Sequence, residues 1–257
     1  MRVLATFAVE QEFAPWRLRR RFMRRRLPEH YGAARYYSAL IGQSKVDVLV
    51  TGMGARKGEP GLSLLLREGA DICISSGLAG ALRPGLAWGE IVVARHLAVL
   101  GSEEKSDCDP RLVNVAIEKG ATAVDTFLMS ESVLGSSEMK RQCAVQGDVV
   151  EMESYSIVTR ASEKGIPSVA IRSISDTAEE ELPLDFNRAI NSRGEVNLTA
   201  VLAQLARHPG RLPKLLHFGK RSEEAARRLS DFLDEYVQTL ESEWLGRELA
   251  VQNRGAK

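Results

Sequence analysis

The sequence predicts an α/β protein, a three-layer α/β/α sandwich around a central mixed and largely parallel β-sheet. Three observations predict it. Short apolar, β-branched runs alternate along the chain with stretches of helical period. Several of the runs end in glycine or polar turns, where open α/β sheets bind their ligands. The 257 residues, 44% of them apolar and 27% charged, suit an ordinary globular protein with room for a sizeable core.

The elements follow in order. Residues 3–8 read as a buried opening strand. Residues 10–27 read as a helix, with Phe13, Trp16, Met23 and Leu27 recurring on one face. Residues 45–50 form a β-branched strand that runs into the turn TGMG, residues 51–54. A helix spans 61–68, and a strand at 70–76 ends in GLAG, residues 77–80. Residues 90–100 are a strand after a Pro-Gly loop, 109–119 an amphipathic helix, and 123–129 a strand. GDVVEMESYSIV, residues 147–158, leads into a helix that continues to Lys164. Residues 168–174 are a strand ending in Ser175, Asp176 and Thr177. The remainder is mostly helical, broken at His208-Pro209-Gly210 and at Pro213. Residues 1–190 read as one domain and 191–257 as a helical extension packed on it, with no repeat and no linker.

Composition excludes several classes. The net charge of +1 recruits no partner by bulk charge. Cys73, Cys108 and Cys143 form no CxxC pair, so neither a disulfide framework nor a zinc site is expected, which fits a reducing cytoplasm. The four histidines, His30, His96, His208 and His217, show no ligand spacing, and no metal or organic cofactor is expected. The opening residues lack the pattern of a signal peptide, and no apolar run reaches the roughly 18 residues of a spanning helix.

The acids carry the chemical interest. Glu151 and Glu153 sit inside an otherwise apolar run, where an unpaired carboxylate is costly. In an extended segment both point to one face, with Met152 on the other. Arg172 is placed to neutralise one of them, so a buried structural ion pair is the competing explanation. Glu12, just past the first strand, also suits the positive end of a helix. Asp176 also suits a helix N-cap or turn. Taken singly, TGMG and GLAG read as plain strand-to-helix turns.

In order along the chain stand AVEQE (8–12), GLAG (77–80), VEME (150–153) and RSISD (172–176). Together they resemble the nucleoside phosphorylase and nucleosidase superfamily over roughly residues 1–190, and most of all the methylthioadenosine/S-adenosylhomocysteine nucleosidases. The resemblance implies that Glu12 is the general base for an attacking water, and that Met152 and Glu153 hold the ribose. Asp176 would protonate the leaving purine. Gly80, Val133, Leu134 and Ser175 would line the base pocket, Glu151 and Arg172 would support it, and Gly52, Gly54 and Arg56 would be turn or anion contacts. The set is chemically coherent. Breaking an N-ribosidic bond makes the ribose cationic and the base a poor anion, so a carboxylate and an acid are both needed.

The chain departs from that pattern in three places. Leu78 replaces a small polar residue in the second glycine motif, and Ser132-Val133-Leu134 replaces an aromatic segment that stacks on the purine. The acidic stretch Glu10-Gln11-Glu12 stands where phosphorylases carry a basic phosphate loop, which favours water over phosphate as nucleophile. Arg56 and Lys57 keep phosphate open as a co-substrate. The basic C-terminal stretch RHPGRLPKLLHF, residues 207–218, resembles hopanoid-associated phosphorylase-like proteins, which implies a lipid-linked nucleoside and peripheral membrane contact. A packing helix explains the same stretch equally well. The run WRLRRRFMRRR, residues 16–26, read alone suggests anionic membrane or nucleic acid. The near-zero net charge and the helix's committed apolar face favour a solvated face instead, and nucleic acid is not an expected partner. The family resemblance implies a homodimer or larger homo-oligomer.

Overall fold

Arg2–Phe7 (β1) is the centre from which the sheet grows. The structure is a computed structural model and describes residues 1–27, 34–54, 58–189 and 197–255. His30, Arg56 and Lys57 lie outside the described residues. To one side of β1 runs parallel Ser44–Val50 (β4), followed by antiparallel Arg35–Ile41 (β3) and the short edge strand Met23–Arg25 (β2). To the other side runs parallel Ile72–Ala81 (β5). The sheet is therefore mixed, with helices packed on its faces.

Beyond β5 the sheet closes on itself. β5 pairs in parallel with Ser168–Asp176 (β10), which pairs antiparallel with Ile91–Val99 (β6). β6 pairs with Thr122–Met129 (β8) and β8 with Val149–Glu151 (β9), both in parallel. β9 returns antiparallel to β5, completing a ring of five strands. Lys105–Asp107 (β7) adds to β6 as a side pairing. Strand alternation does not foretell this ring, because it depends on which strand the end of β5 meets.

The helices obey local rules. Pro110–Glu118 (α3) is capped by the Asp109 carboxylate, which accepts the Arg111 N–H at 2.9 Å. Ser137–Cys143 (α4) is capped by Ser136. Glu59–Arg67 (α2) and Ser154–Ser162 (α5) sandwich Leu62, Leu65, Leu66 and Ile157 in a common apolar layer with Leu4 and Leu49. Phe186–Ala189 (α6), Leu198–Arg207 (α7) and a short 3-10 turn at Pro209–Arg211 lead into the long helix Leu212–Gly255 (α8). The break at His208-Pro209-Gly210 is present. Pro213 breaks nothing: it sits in the first turn of α8, where its missing N–H has no helical partner to lose. Leu229, Leu233, Tyr236 and Val237 of α8 belong to the main core.

The first helix ends early. Glu10–Arg20 (α1) stops where Arg21 turns left-handed at φ 51°, and residues 23–25 become β2 rather than a further turn of helix. The cause is Phe22. It packs against Phe13 and Trp16, with ring centroids 5.1 Å from each, and burying it requires the chain to reverse there. Met23, expected on the apolar face, is 62% exposed. The arginine run is thus split between two elements. Arg19 and Arg20 pair with Asp231 and Asp234 of α8, Arg17 lies over the Tyr37 ring, and Arg24 and Arg25 stand exposed on the edge strand.

GLAG is likewise not a turn. β5 runs straight through it to Ala81, pairing Gly80 with Val150 on one side and with Asp176 on the other. Asp176 is the last residue of β10, neither a helix cap nor a turn residue.

Candidate active site

The carboxyl ends of β1, β4, β5, β9 and β10 open into one cleft of about 1170 Å³, lined on its far side by α1, α6 and α8. Glu12, Met152, Glu153, Ser175, Asp176, Gly80, Val133 and Leu134 all line it, as do Glu151 and Gly52.

Glu12 occupies the first turn of α1. Its Oε2 accepts the N–H groups of Ala8 (3.2 Å) and Val9 (3.3 Å), as an acid at that position of a helix can. Its Oε1 accepts the Leu78 N–H at 3.0 Å, which crosses from β5. That crossing explains a glycine. A Cβ on Gly77 would sit 3.0 Å from Glu12 Oε2, and its φ of 149° is one that side chains avoid. Burial pushes the Glu12 carboxyl up from its ordinary value, opposed by the Leu78 N–H and by Arg172. Leu78 therefore serves through its backbone, whatever its side chain lacks. Glu10 turns away, toward the Tyr37 hydroxyl and Arg35.

Glu151 and Glu153 converge on Arg172, although not as alternate residues of one strand. β9 ends at Glu151, and Glu153 precedes the first turn of α5. Arg172 Nη2 donates to Glu151 Oε2 at 2.6 Å and lies 3.9 Å from Glu153 Oε2. The same nitrogen reaches the hydroxyls of Ser75 (3.2 Å) and Ser154 (2.8 Å). Glu151 Oε2 also accepts the N–H groups of Glu153 and Ser154, fixing the bend between strand and helix. Glu153 Oε1 accepts the Gly54 N–H at 2.9 Å, so Gly54 reaches the site as a donor to an acid. The Gly52 N–H is spent on the Ala8 carbonyl at 2.9 Å, making it a turn residue. Burial, reinforced by the Glu151 charge, raises the Glu153 carboxyl to about 8.

Asp176 stands opposite. Ser175 Oγ lies 2.6 Å from its Oδ1 and 3.1 Å from the Ala79 carbonyl. Lys140 Nζ donates to its Oδ2 at 2.5 Å. A Cβ on Gly80 would lie 3.0 Å from Oδ2, so glycine there lets the carboxylate lie against β5. Val133 is held through its backbone: its N–H donates to Asn187 Oδ1 at 2.8 Å and its carbonyl accepts from Asn187 Nδ2 at 2.9 Å.

The sequence profile of the Phosphorylase superfamily matches residues 8–207. The chain belongs to that superfamily. A 5′-methylthioadenosine/S-adenosylhomocysteine nucleosidase of Exiguobacterium sp. is 26% identical over 195 residues, covering 65% of this chain and 83% of the relative. The corresponding enzyme of Listeria welshimeri is 28% identical over 203 residues, covering 68% and 87%. The solved nucleosidase of Campylobacter jejuni superposes with a TM-score of 0.70 over 93% of this chain and 99% of that one, at 17% identity. A futalosine hydrolase mutant of Helicobacter pylori superposes at 0.68 over the same 93%, also at 17% identity and covering 99% of that chain.

This superfamily member carries site residues that sequence reasoning missed. Phe186 and Phe218 line the cleft with ring centroids 5.7 Å apart. Aromatic rings are therefore present, supplied by α6 and α8 rather than by residues 132–134. Lys140 gave no local signal, since a lone lysine on a short polar helix looks solvated. Among the described residues no group of His, Cys, Asp and Glu could hold a metal ion, and no helix is long and apolar enough to cross a membrane.

Proposed function

We propose that this protein is a hydrolytic nucleosidase that cleaves the N-ribosidic bond of an adenine nucleoside bearing a 5′-substituent. One observation carries the choice of water over phosphate. The cleft floor presents the carboxyl groups of Glu12 and Glu153, and Nη2 of Arg172, the nearby cation, is bonded to Glu151, Ser75 and Ser154. Carboxyl groups that accept hydrogen bonds there offer an incoming phosphate no complementary charge.

In this reading Glu12, with a carboxyl raised by burial, takes a proton from the attacking water. Met152 and Glu153 grip the ribose, and Glu153 stabilises the positive charge that grows on it. The base lies between Val133, Leu134, Phe186 and Phe218, with Asp176 delivering a proton to it. The apolar wall formed by Leu18, Leu215, Phe218 and Ala226 supports an apolar 5′-substituent, from a methylthio group to a hopane-like lipid. The exposed Leu202 of α7 and the exposed Leu212 and Leu216 of α8 support peripheral membrane contact for a lipid-linked substrate. A cytoplasmic homo-oligomer is part of the same reading, checked by sedimentation of the purified protein.

A single chromatographic assay tests the reaction. The protein is incubated with methylthioadenosine, S-adenosylhomocysteine, adenosine, inosine and a 5′-alkyl adenosine, each with and without phosphate. Free base without phosphate is the expected result. Base released only with phosphate, alongside ribose 1-phosphate, overturns hydrolysis in favour of phosphorolysis.

A further inference from the structure

Asp176 is not alone at the end of β10. Lys140 of α4 is wholly buried, and its Nζ donates to Asp176 Oδ2, to the Thr177 carbonyl at 2.7 Å and to the Glu180 carbonyl at 3.0 Å. Those three bonds use every hydrogen of the ammonium. The other carboxylate oxygen of Asp176 lies 2.6 Å from the Ser175 hydroxyl, which also lies 3.1 Å from the Ala79 carbonyl. With the ammonium donating to Oδ2, Asp176 is paired with a cation as a carboxylate is. It then holds no proton of its own for a departing purine, which needs one. Lys140 carries a proton in direct contact with it. A tether for two carbonyls would need no charge, and an ammonium is costly to bury.

We propose that Lys140 is a positioning residue and the proton reservoir behind Asp176, an inference that rests on the nucleosidase reading above. As the C–N bond breaks, its electron pair passes to the purine. Lys140 passes a proton to Asp176 at Oδ2, leaving a neutral amine, and Asp176 relays that proton to the purine. Water adds to the anomeric carbon, and its surplus proton goes to Glu12. Glu12 then releases a proton to solvent and Lys140 takes one up, so the net change is nucleoside plus water to base plus sugar. Lys140 also ties the acid to the loop that follows it: the Glu180 carboxylate accepts the Thr177 N–H and pairs with Arg221 of α8.

The test compares two leaving groups in Lys140→Met and Lys140→Gln. One substrate is methylthioadenosine, whose base needs a proton. The other is the 4-nitrophenyl riboside with the same 5′-methylthio group, whose phenolate leaves without one. For methylthioadenosine we expect kcat to fall by roughly 100-fold or more with KM little changed, and for the nitrophenyl riboside by less than about ten-fold. Equal losses on both substrates would reduce Lys140 to a structural role and overturn the proposal. Lys140→Gln keeps donors for the two carbonyls and guards against simple misfolding; normal turnover of methylthioadenosine by it also overturns the proposal. Asp176→Asn separates the two levels. If that variant is inactive while the Lys140 variants show no split, only the reservoir fails. If wild-type protein releases no base from methylthioadenosine, the nucleosidase reading falls first and the reservoir with it.

Discussion

Arg172 and Glu151 meet inside the protein, Nη2 to Oε2 at 2.6 Å, with each side chain 1% exposed. Glu153 stops 3.9 Å from the same nitrogen. The guanidinium thus neutralises one acid closely and the other only at a distance, which leaves Glu153 the acid open to a ligand. Removing Glu151 would strand a buried guanidinium. Glu151→Gln is therefore expected to destabilise the protein by about 3–5 kcal/mol, read from urea unfolding. A change below about 1 kcal/mol would show that the pair contributes little.

Glu153 makes stability depend on pH. Its carboxyl is raised from 4.5 to about 8 in the folded protein, so between those values the folded state binds the extra proton. Stability contributed by this group is full below the unfolded value and is lost as pH rises toward 8. Glu12 acts in the same direction. Glu153→Gln should flatten the decline in unfolding free energy measured between pH 5 and pH 8.5, by an amount on the order of a few kcal/mol. An unchanged slope would assign the pH dependence to other groups.

Glu12→Gln and Asp176→Asn should each lower kcat by about 10²- to 10⁴-fold while nucleoside still binds. Equilibrium binding of methylthioadenosine, set beside turnover, separates this from loss of the pocket. Near-normal turnover in either variant removes that residue from the mechanism.

Gly77→Ala places a methyl group 3.0 Å from the Glu12 carboxylate at a φ of 149°. The expected result is a loss of about 1–3 kcal/mol in stability together with a fall in kcat, because the Leu78 N–H can no longer hold Glu12 in place. An alanine variant with full activity would mean that this close approach does not constrain the base.

Much of the fold is readable from local pattern. Strands such as β1, β6, β8 and β10 are short β-branched runs, and α3 announces itself through Asp109, Pro110 and its apolar face. The exceptions have two causes. Met23 has the spacing of a core residue, yet Phe22 wins the core because two aromatic rings are there to receive it. Arg35–Ile41 (β3) carries no sharp boundary signal in the sequence, and the same holds for the three-residue strands β2 and β7.

The four ordered motifs bring Glu12, Glu153 and Asp176 to or just past the ends of strands, since each lies beside a run whose periodicity reports its own burial. What surrounds those acids is another matter. Lys140 is 36 residues from Asp176, Glu151 is 21 from Arg172, and Glu12 is 66 from Leu78. Phe218 comes to the cleft from a helix that reads as an appendage. Hydrogen-bonding demand is visible in a sequence wherever a polar group sits in an apolar run. The partner that meets it is chosen by closure of the sheet and by packing between distant elements, so the acids could be read from the chain and their charge partners only from the fold.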